Sequence, residues 1–157
     1  MNKIIQLHKY DTDKILLVKR SLIGLRNYYP EFAKWYDSKI VPNVDNNREI
    51  FLSTKDGIFS GALILKNELN EKKICTLFVN PNNRFSHVGN DFLRIASEEL
   101  ETYKLPITIS DDAMVYFNKF RYNFYEKKIV DNMYKQGSCE HIGYLMYHNP
   151  DNEYRRN

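Results

Sequence analysis

At 157 residues the chain is long enough to bury a full core as one domain without disulfide or metal staples. Its formal charge of +3 is too small to demand a nucleic-acid partner, although it suits an anionic cofactor and is compatible with RNA. Two cysteines, Cys75 and Cys139, build no disulfide framework, and no window approaches the run of about 18 apolar residues that a membrane span requires. A reduced, cytoplasmic protein without a membrane partner is therefore expected.

Residues 3–8 alternate polar and apolar positions like a strand, which argues against a leader peptide. Over residues 11–25, Ile15, Leu16, Val18, Leu22 and Leu25 form a helical stripe, with Asp11 or Asp13 as cap and Gly24 near its end. Pro30 fits the first turn of a second helix carrying Phe32, Trp35, Tyr36 and Ile40, which Pro42 stops. Residues 49–53 and 58–65 are β-rich and flank Asp56-Gly57, a hairpin signal. The next run, residues 73–79, is apolar on both alternating faces: Ile74, Thr76 and Phe78 on one, Cys75, Leu77 and Val79 on the other. Such a strand belongs at the centre of a sheet, covered on both sides.

An Asn-rich loop follows, and then a helical stripe of Val88, Phe92, Ile95, Ala96, Leu100 and Tyr103 that Pro106 ends. Residues 107–110 read as a short strand, and Ser110, Asp111 or Asp112 can cap a helix over 113–120. Residues 122–128 and 141–147 read as two strands joined by a turn around Gln136-Gly137. The sequence thus reads as a single domain over residues 1–149 with a polar tail at 150–157. Its fold class is α+β: a mixed, mainly antiparallel sheet with helices on both faces.

The passage from strand to helix over residues 77–89, LFVNPNNRFSHVG, carries the chemistry. A helix N-terminus offers unpaired N–H groups and partial positive charge, and so attracts a pyrophosphate. The preceding loop must turn successive N–H groups onto phosphate oxygens, a geometry that favours Gly and Asn. Gly89 allows close approach, Arg84 can contact phosphate, and Pro81, Asn82 and Asn83 suit the turn leading in.

This stretch resembles the GNAT superfamily of acyl-CoA N-acyltransferases. That family places Arg/Gln-x-x-Gly-x-Gly/Ala between its fourth strand and the following helix, and here the six residues are Arg84-Phe85-Ser86-His87-Val88-Gly89. The outer positions match, and His87 replaces the middle glycine. The order of elements agrees over nearly the whole chain, whereas residue-level likeness is confined to about residues 75–89. The resemblance implies acetyl-CoA as co-substrate and no metal. Its pantetheine would pair with the backbone of Leu77, Phe78 and Val79. Its pyrophosphate would sit on Arg84, Phe85, Ser86, His87, Val88, Gly89 and Asn90.

Acetyl transfer needs a base for the amine and an acid for the departing thiolate. Glu71 stands at the family's offset for a base, although a solvated turn beside Lys72 and Lys73 explains it equally. For the acid two registers remain open. If Tyr122-Asn123-Phe124 forms the helix exit, Lys119 falls at the acid's place and Tyr116 lies one turn earlier. If residues 124–128 imitate the family's Phe-Tyr-Glu-Lys run, Tyr125 is the acid. The four histidines have no metal-ligand spacing. Lys119, Arg121, Lys127 and Lys128 form a small basic group that is either solvated surface or a contact for an anionic acceptor such as tRNA. Tyr28 and Tyr29, between the first two helices, can line the acceptor groove.

An N-acetyltransferase acting on a primary amine of a protein, an aminoacyl-tRNA or a small molecule is the first expectation. A GNAT-shaped binding or regulatory module that has lost catalysis is the second, prompted by His87. Pairing of the terminal strand across a homodimer is a further possibility.

Overall fold

The computed structural model describes residues 2–25, 31–81, 87–111, 113–114, 123–132 and 136–147. Seven strands form one sheet: β1 (Asn2–Leu7), β2 (Arg48–Lys55), β3 (Ile58–Asn67), β4 (Lys72–Val79), β5 (Lys104–Ser110), β6 (Phe124–Asp131) and β7 (Cys139–Met146). Their spatial order is β1-β2-β3-β4-β5-β7-β6, antiparallel throughout except for β4 and β5. Among the described residues, α1 (Thr12–Leu25), α2 (Phe32–Trp35) and α3 (Val88–Leu100) join them. A parallel pair cannot be closed by a hairpin, and α3 is the crossover that connects β4 to β5. The β2–β3 hairpin turns on Asp56 (φ 53°) and Gly57 (φ 79°), the two left-handed residues such a tight turn requires.

The sheet separates two cores. On one face α3 buries Val88, Phe92, Leu93, Ala96 and Leu100 against Leu63, Leu77, Val79 and Ile107. A Cβ on Gly61 would stand 2.7 Å from the Phe78 carbonyl and 3.0 Å from the Phe92 ring, so glycine is what lets that ring seat on β3. On the other face Ile15, Val18 and Leu22 of α1 join Phe32, Tyr36 and Ile40 over Ile50, Leu52, Ala62 and Ile64. Tyr36 is fully buried there, and its hydroxyl donates to the Ile15 carbonyl at 2.8 Å. Burial pushes that phenol well above its ordinary range.

Several expected boundaries move. The second helix is α-helical only over Phe32–Trp35, widens to a π-turn over Tyr36–Ile40 and tightens to a 3-10 turn at Val41–Asn43 around Pro42. Helix α3 stops at Leu100, not at Pro106: Glu101 turns left-handed (φ 55°) and the Thr102 N–H donates to the Ser97 carbonyl, which releases Tyr103. The strand that follows begins at Lys104 and contains Pro106, tolerated because β5 is open toward β4 over most of its length. The last strand is paired on both sides, to β5 and to β6, so β7 has no edge for dimer pairing; β1 and β6 are the sheet edges. The polar tail and the greater part of the expected 113–120 helix lie outside the described residues. Ser110 caps that helix's start, accepting from the Ala113 N–H at 3.3 Å.

Candidate active site

One extra residue in β4 creates the site. Leu77 pairs with Leu63 and Thr76 with Ile64, but the next partner, Leu65, pairs with Ile74, leaving Cys75 as a bulge. A bulge bends its strand and breaks the alternation of faces. The expected alternation of β4 is therefore corrected: Ile74, Leu77 and Val79 join the α3 core, while Cys75 and Phe78 pack toward the other. The bend also separates β4 from β5, whose one registered pair is Ile74 with Ile107, immediately before Cys75.

A cleft of about 290 Å³ opens where the two strands part. Residues 73–77 and 107–110 form its walls, Phe32 and Trp35 cover it, Arg48 stands at one end, and Ala113, Asn132 and Glu140 stand at the other. The two aromatic residues pack together, ring centroids 5.6 Å apart. The Thr76 hydroxyl is buried in this lining without a hydrogen-bond partner, an orphaned polar atom at the point of separation. Burial raises the Cys75 thiol above its usual range, and the cations Arg48, Lys73 and Lys66 partly offset this. Glu140 is the only carboxylate among the described lining residues, and it forms no ion pair there.

On the α3 face, the helix start meets the demands of an anion site. His87 holds the position before Val88 with left-handed backbone, φ 64° and ψ 5°, and no side chain caps the helix. The backbone conformation a glycine would supply is thus retained, and the imidazole points outward as an exposed residue. The N–H groups of Val88, Gly89 and Asn90, in the first turn, have no intrahelical acceptor. Arg84, Phe85 and Ser86 lie outside the described residues. The orphaned Thr76 hydroxyl and the uncapped helix start are polar groups that an extended ligand with an anionic end could use.

The structure does not gather the other sequence candidates at this cleft. Glu71 immediately precedes β4 in the turn from β3, where it accepts a hydrogen bond from Lys66 and lies 3.9 Å from Lys73. The Lys66 contact, followed by the Lys73 charge, holds this carboxyl below its usual range, and Glu71 does not line the cleft. Tyr125 is in β6, half exposed and stacked on Tyr144 at 5.3 Å, also away from the lining. Phe124 is already strand and Asn123 is not helical, so the helix through Asn123 that the Tyr125 register needs is not formed. Tyr116, Lys119, Tyr28 and Tyr29 fall outside the described residues.

A cluster that sequence spacing could not announce lies beside the cleft. The imidazole of His141 bridges two carboxylates, Glu126 through Nδ1 and Asp111 through Nε2 at 2.5 Å. Asp111 also accepts the Cys139 N–H at 2.8 Å. Its partners raise the pKa of His141, Glu126 first and Asp111 second, while the His141 bond and then the Cys139 N–H lower that of Asp111. Sequence separations of 15 and 30 leave no local signal for such a contact.

No protein-family model matches the sequence, and no curated protein matches it. Likeness to solved structures is extensive, and it defines the class: the chain has the fold of the GNAT acetyltransferases. An acetyltransferase of the GNAT family from Desulfovibrio desulfuricans superposes with a TM-score of 0.69 at 14% identity, covering 94% of this chain and 100% of that one. The ribosomal-protein-S18-alanine N-acetyltransferase of Escherichia coli gives 0.67 at 20% identity, covering 95% and 96%. The PaiA N-acetyltransferase of Thermoplasma acidophilum, solved in complex with coenzyme A, gives 0.65 at 15% identity, covering 94% and 99%.

Proposed function

We propose that this protein transfers an acetyl group from acetyl-CoA directly to a primary amine. The observation that carries the reading is the parting of β4 and β5 at the Cys75 bulge, with an unpartnered Thr76 hydroxyl in the gap. The left-handed His87 supports it further, because this residue adopts the backbone conformation that the family's glycine would supply.

Acetyl-CoA supplies an acyl thioester: a C–N bond forms, the C–S bond breaks, the amine loses a proton and the thiolate gains one. Thr76 donates a hydrogen bond into the gap where the acyl group would lie. Glu140 faces the cleft unpaired and takes the amine's proton, directly or through water. Glu71 is the weaker base, since a carboxylate held below its usual pKa by Lys66 gives up its proton-accepting power. Tyr116 stays the candidate acid. The acceptor is a small molecule, a protein or an aminoacyl-tRNA.

Calorimetry with acetyl-CoA, followed by thiol release with a panel of amines, tests the reading. Micromolar binding and amine-dependent thiol release are expected, with Glu140→Gln lowering kcat at least about tenfold and Glu71→Gln much less. Binding without turnover of any amine supports the non-catalytic module instead. Absence of binding at millimolar cofactor sinks the acetyltransferase reading and leaves the module.

A further inference from the structure

Three cations stand in a row across the sheet. Arg48 of β2 pairs with Lys66 of β3, and Lys66 pairs with Lys73 of β4. Direct partners share a face, so all three side chains leave toward α1 and α2, about 5 Å apart from strand to strand. Like charges directly opposite one another repel, and the row costs folding free energy unless anions answer it.

Only the middle cation is fully answered. Lys66 donates to Glu71 and lies 3.8 Å from Glu68. Arg48 contacts the carbonyl and side-chain oxygen of its neighbour Asn47, at 3.4 and 3.0 Å, and makes no ion pair among the described residues. Its Nε is buried without a partner. For Lys73 the nearest carboxylate is Glu71 at 3.9 Å, already bound to Lys66. Arg48 and Lys73 both line the cleft, whereas Lys66 and Glu71 do not. At its far end stands Glu140. The cleft is thus charged at both ends, cationic at the β2–β4 end and anionic at the β7 end, with apolar and aromatic side chains between.

Resting on the acetyltransferase reading above, we propose that the acceptor is a small amine that also carries a carboxylate or phosphate. Arg48 and Lys73 hold its anion, and its amine is turned toward Thr76 and Glu140. Phosphates of the cofactor are not the anion in question, because the cation row is on the α1–α2 face and the helix start of α3 lies on the other. A polyanionic macromolecule is disfavoured because these cations line a cleft of about 290 Å³ and do not spread over an outer face.

The test is thiol release from acetyl-CoA with paired acceptors: ω-amino acids of increasing spacer length and aminoalkyl phosphates, each against its neutral amide or amino-alcohol counterpart. The anionic member of the best pair is expected to show kcat/KM at least about tenfold higher, as a charge-assisted contact would give. Comparing carboxylates with phosphates identifies the anion. In Arg48→Gln, and independently in the half-exposed Lys73→Gln, that preference falls toward unity through KM. Arg48→Lys restores part of it.

Equal use of neutral and anionic amines overturns the proposal and leaves the acetyltransferase reading intact. So does acetylation confined to peptides or polyamines, or a parallel loss of CoA affinity in the two variants. CoA binding with no turnover of any anionic amine overturns it as well. If CoA itself does not bind, the acetyltransferase reading falls, and the proposal with it.

Discussion

The two arms of the sheet are held together by different mixtures of forces. In β1–β4, neighbouring strands pair over six to eight residues, interrupted by single register shifts in β2–β3 and at Cys75, both faces are covered, and Ile50, Leu52, Leu63, Ile64 and Leu65 are essentially inaccessible. In the β5–β7–β6 arm, the outer strand is largely exposed, with Tyr125 and Ile129 about half accessible, and the strand ends are tied by the Glu126–His141–Asp111 contacts. Both arms bury apolar side chains, the second through Leu105, Ile107, Ile109 and Leu145, and the second leans in addition on directional polar contacts at its outer strand. The cleft falls on the seam between them, where strand pairing lapses after Ile74 and Ile107.

The largest disruption should come from the apolar core. Phe92→Ala removes a fully buried ring from the α3 core and should cost about 4 kcal/mol in denaturant unfolding, lowering stability and cofactor binding together. Next comes Gly143→Ala. A bulge at Lys127 brings the Tyr125 carbonyl to 2.1 Å from where that Cβ would stand. The added methyl forces β6 and β7 apart, for about 2–3 kcal/mol. Amide exchange should then quicken in β6 and β7 while β1–β4 stay protected; uniform loss of protection would show that the arms are one cooperative unit.

A smaller effect separates the arms by pH. The raised pKa of His141 gives stabilisation that is full below the unfolded value near 6.5 and is lost as pH rises through the folded value. The lowered pKa of Asp111 works in the opposite sense, full above the unfolded value near 3.8 and lost as pH falls through the folded one. The cluster should therefore contribute most between about pH 4 and 6.5. His141→Gln should cost about 1 kcal/mol at pH 5.5, discounted for the half-exposed carboxylates, and progressively less by pH 9. A Tm difference independent of pH would contradict this.

The smallest prediction has the opposite sign. His87→Gly relieves a non-glycine residue of left-handed backbone and should stabilise the chain by up to about 1 kcal/mol.

The β1–β4 arm with its helices was legible because its information is periodic: the stripes of α1 and α3 and the Asp56-Gly57 hairpin are local patterns that local structure obeys. The bulge at Cys75 was not, since in sequence one inserted residue is indistinguishable from continued alternation, and only the register of β3 reveals it. The α3 terminus was missed for a related reason: Glu101 ends the helix by adopting left-handed backbone, which its composition does not advertise. Among the candidate site residues, the helix-start positions His87–Asn90 could be singled out from a motif because they are close in sequence. Arg48, Thr76 and Glu140 come from three distant strands and meet only through the sheet, so no spacing pointed to them. Glu71 drew attention through its offset, but the neighbouring lysines claim its carboxylate.

A sheet joined across its middle by one registered pair has a mechanical property as well. Among the described residues Ile74 and Ile107 are the one registered pair between the arms, and α3 crosses between the strands they belong to. Rotation about that pair should change the width of the gap without disturbing the hydrogen bonds within either arm. Occupancy of the gap should therefore stiffen the molecule as a whole, raising the resistance of both arms to proteolysis at once.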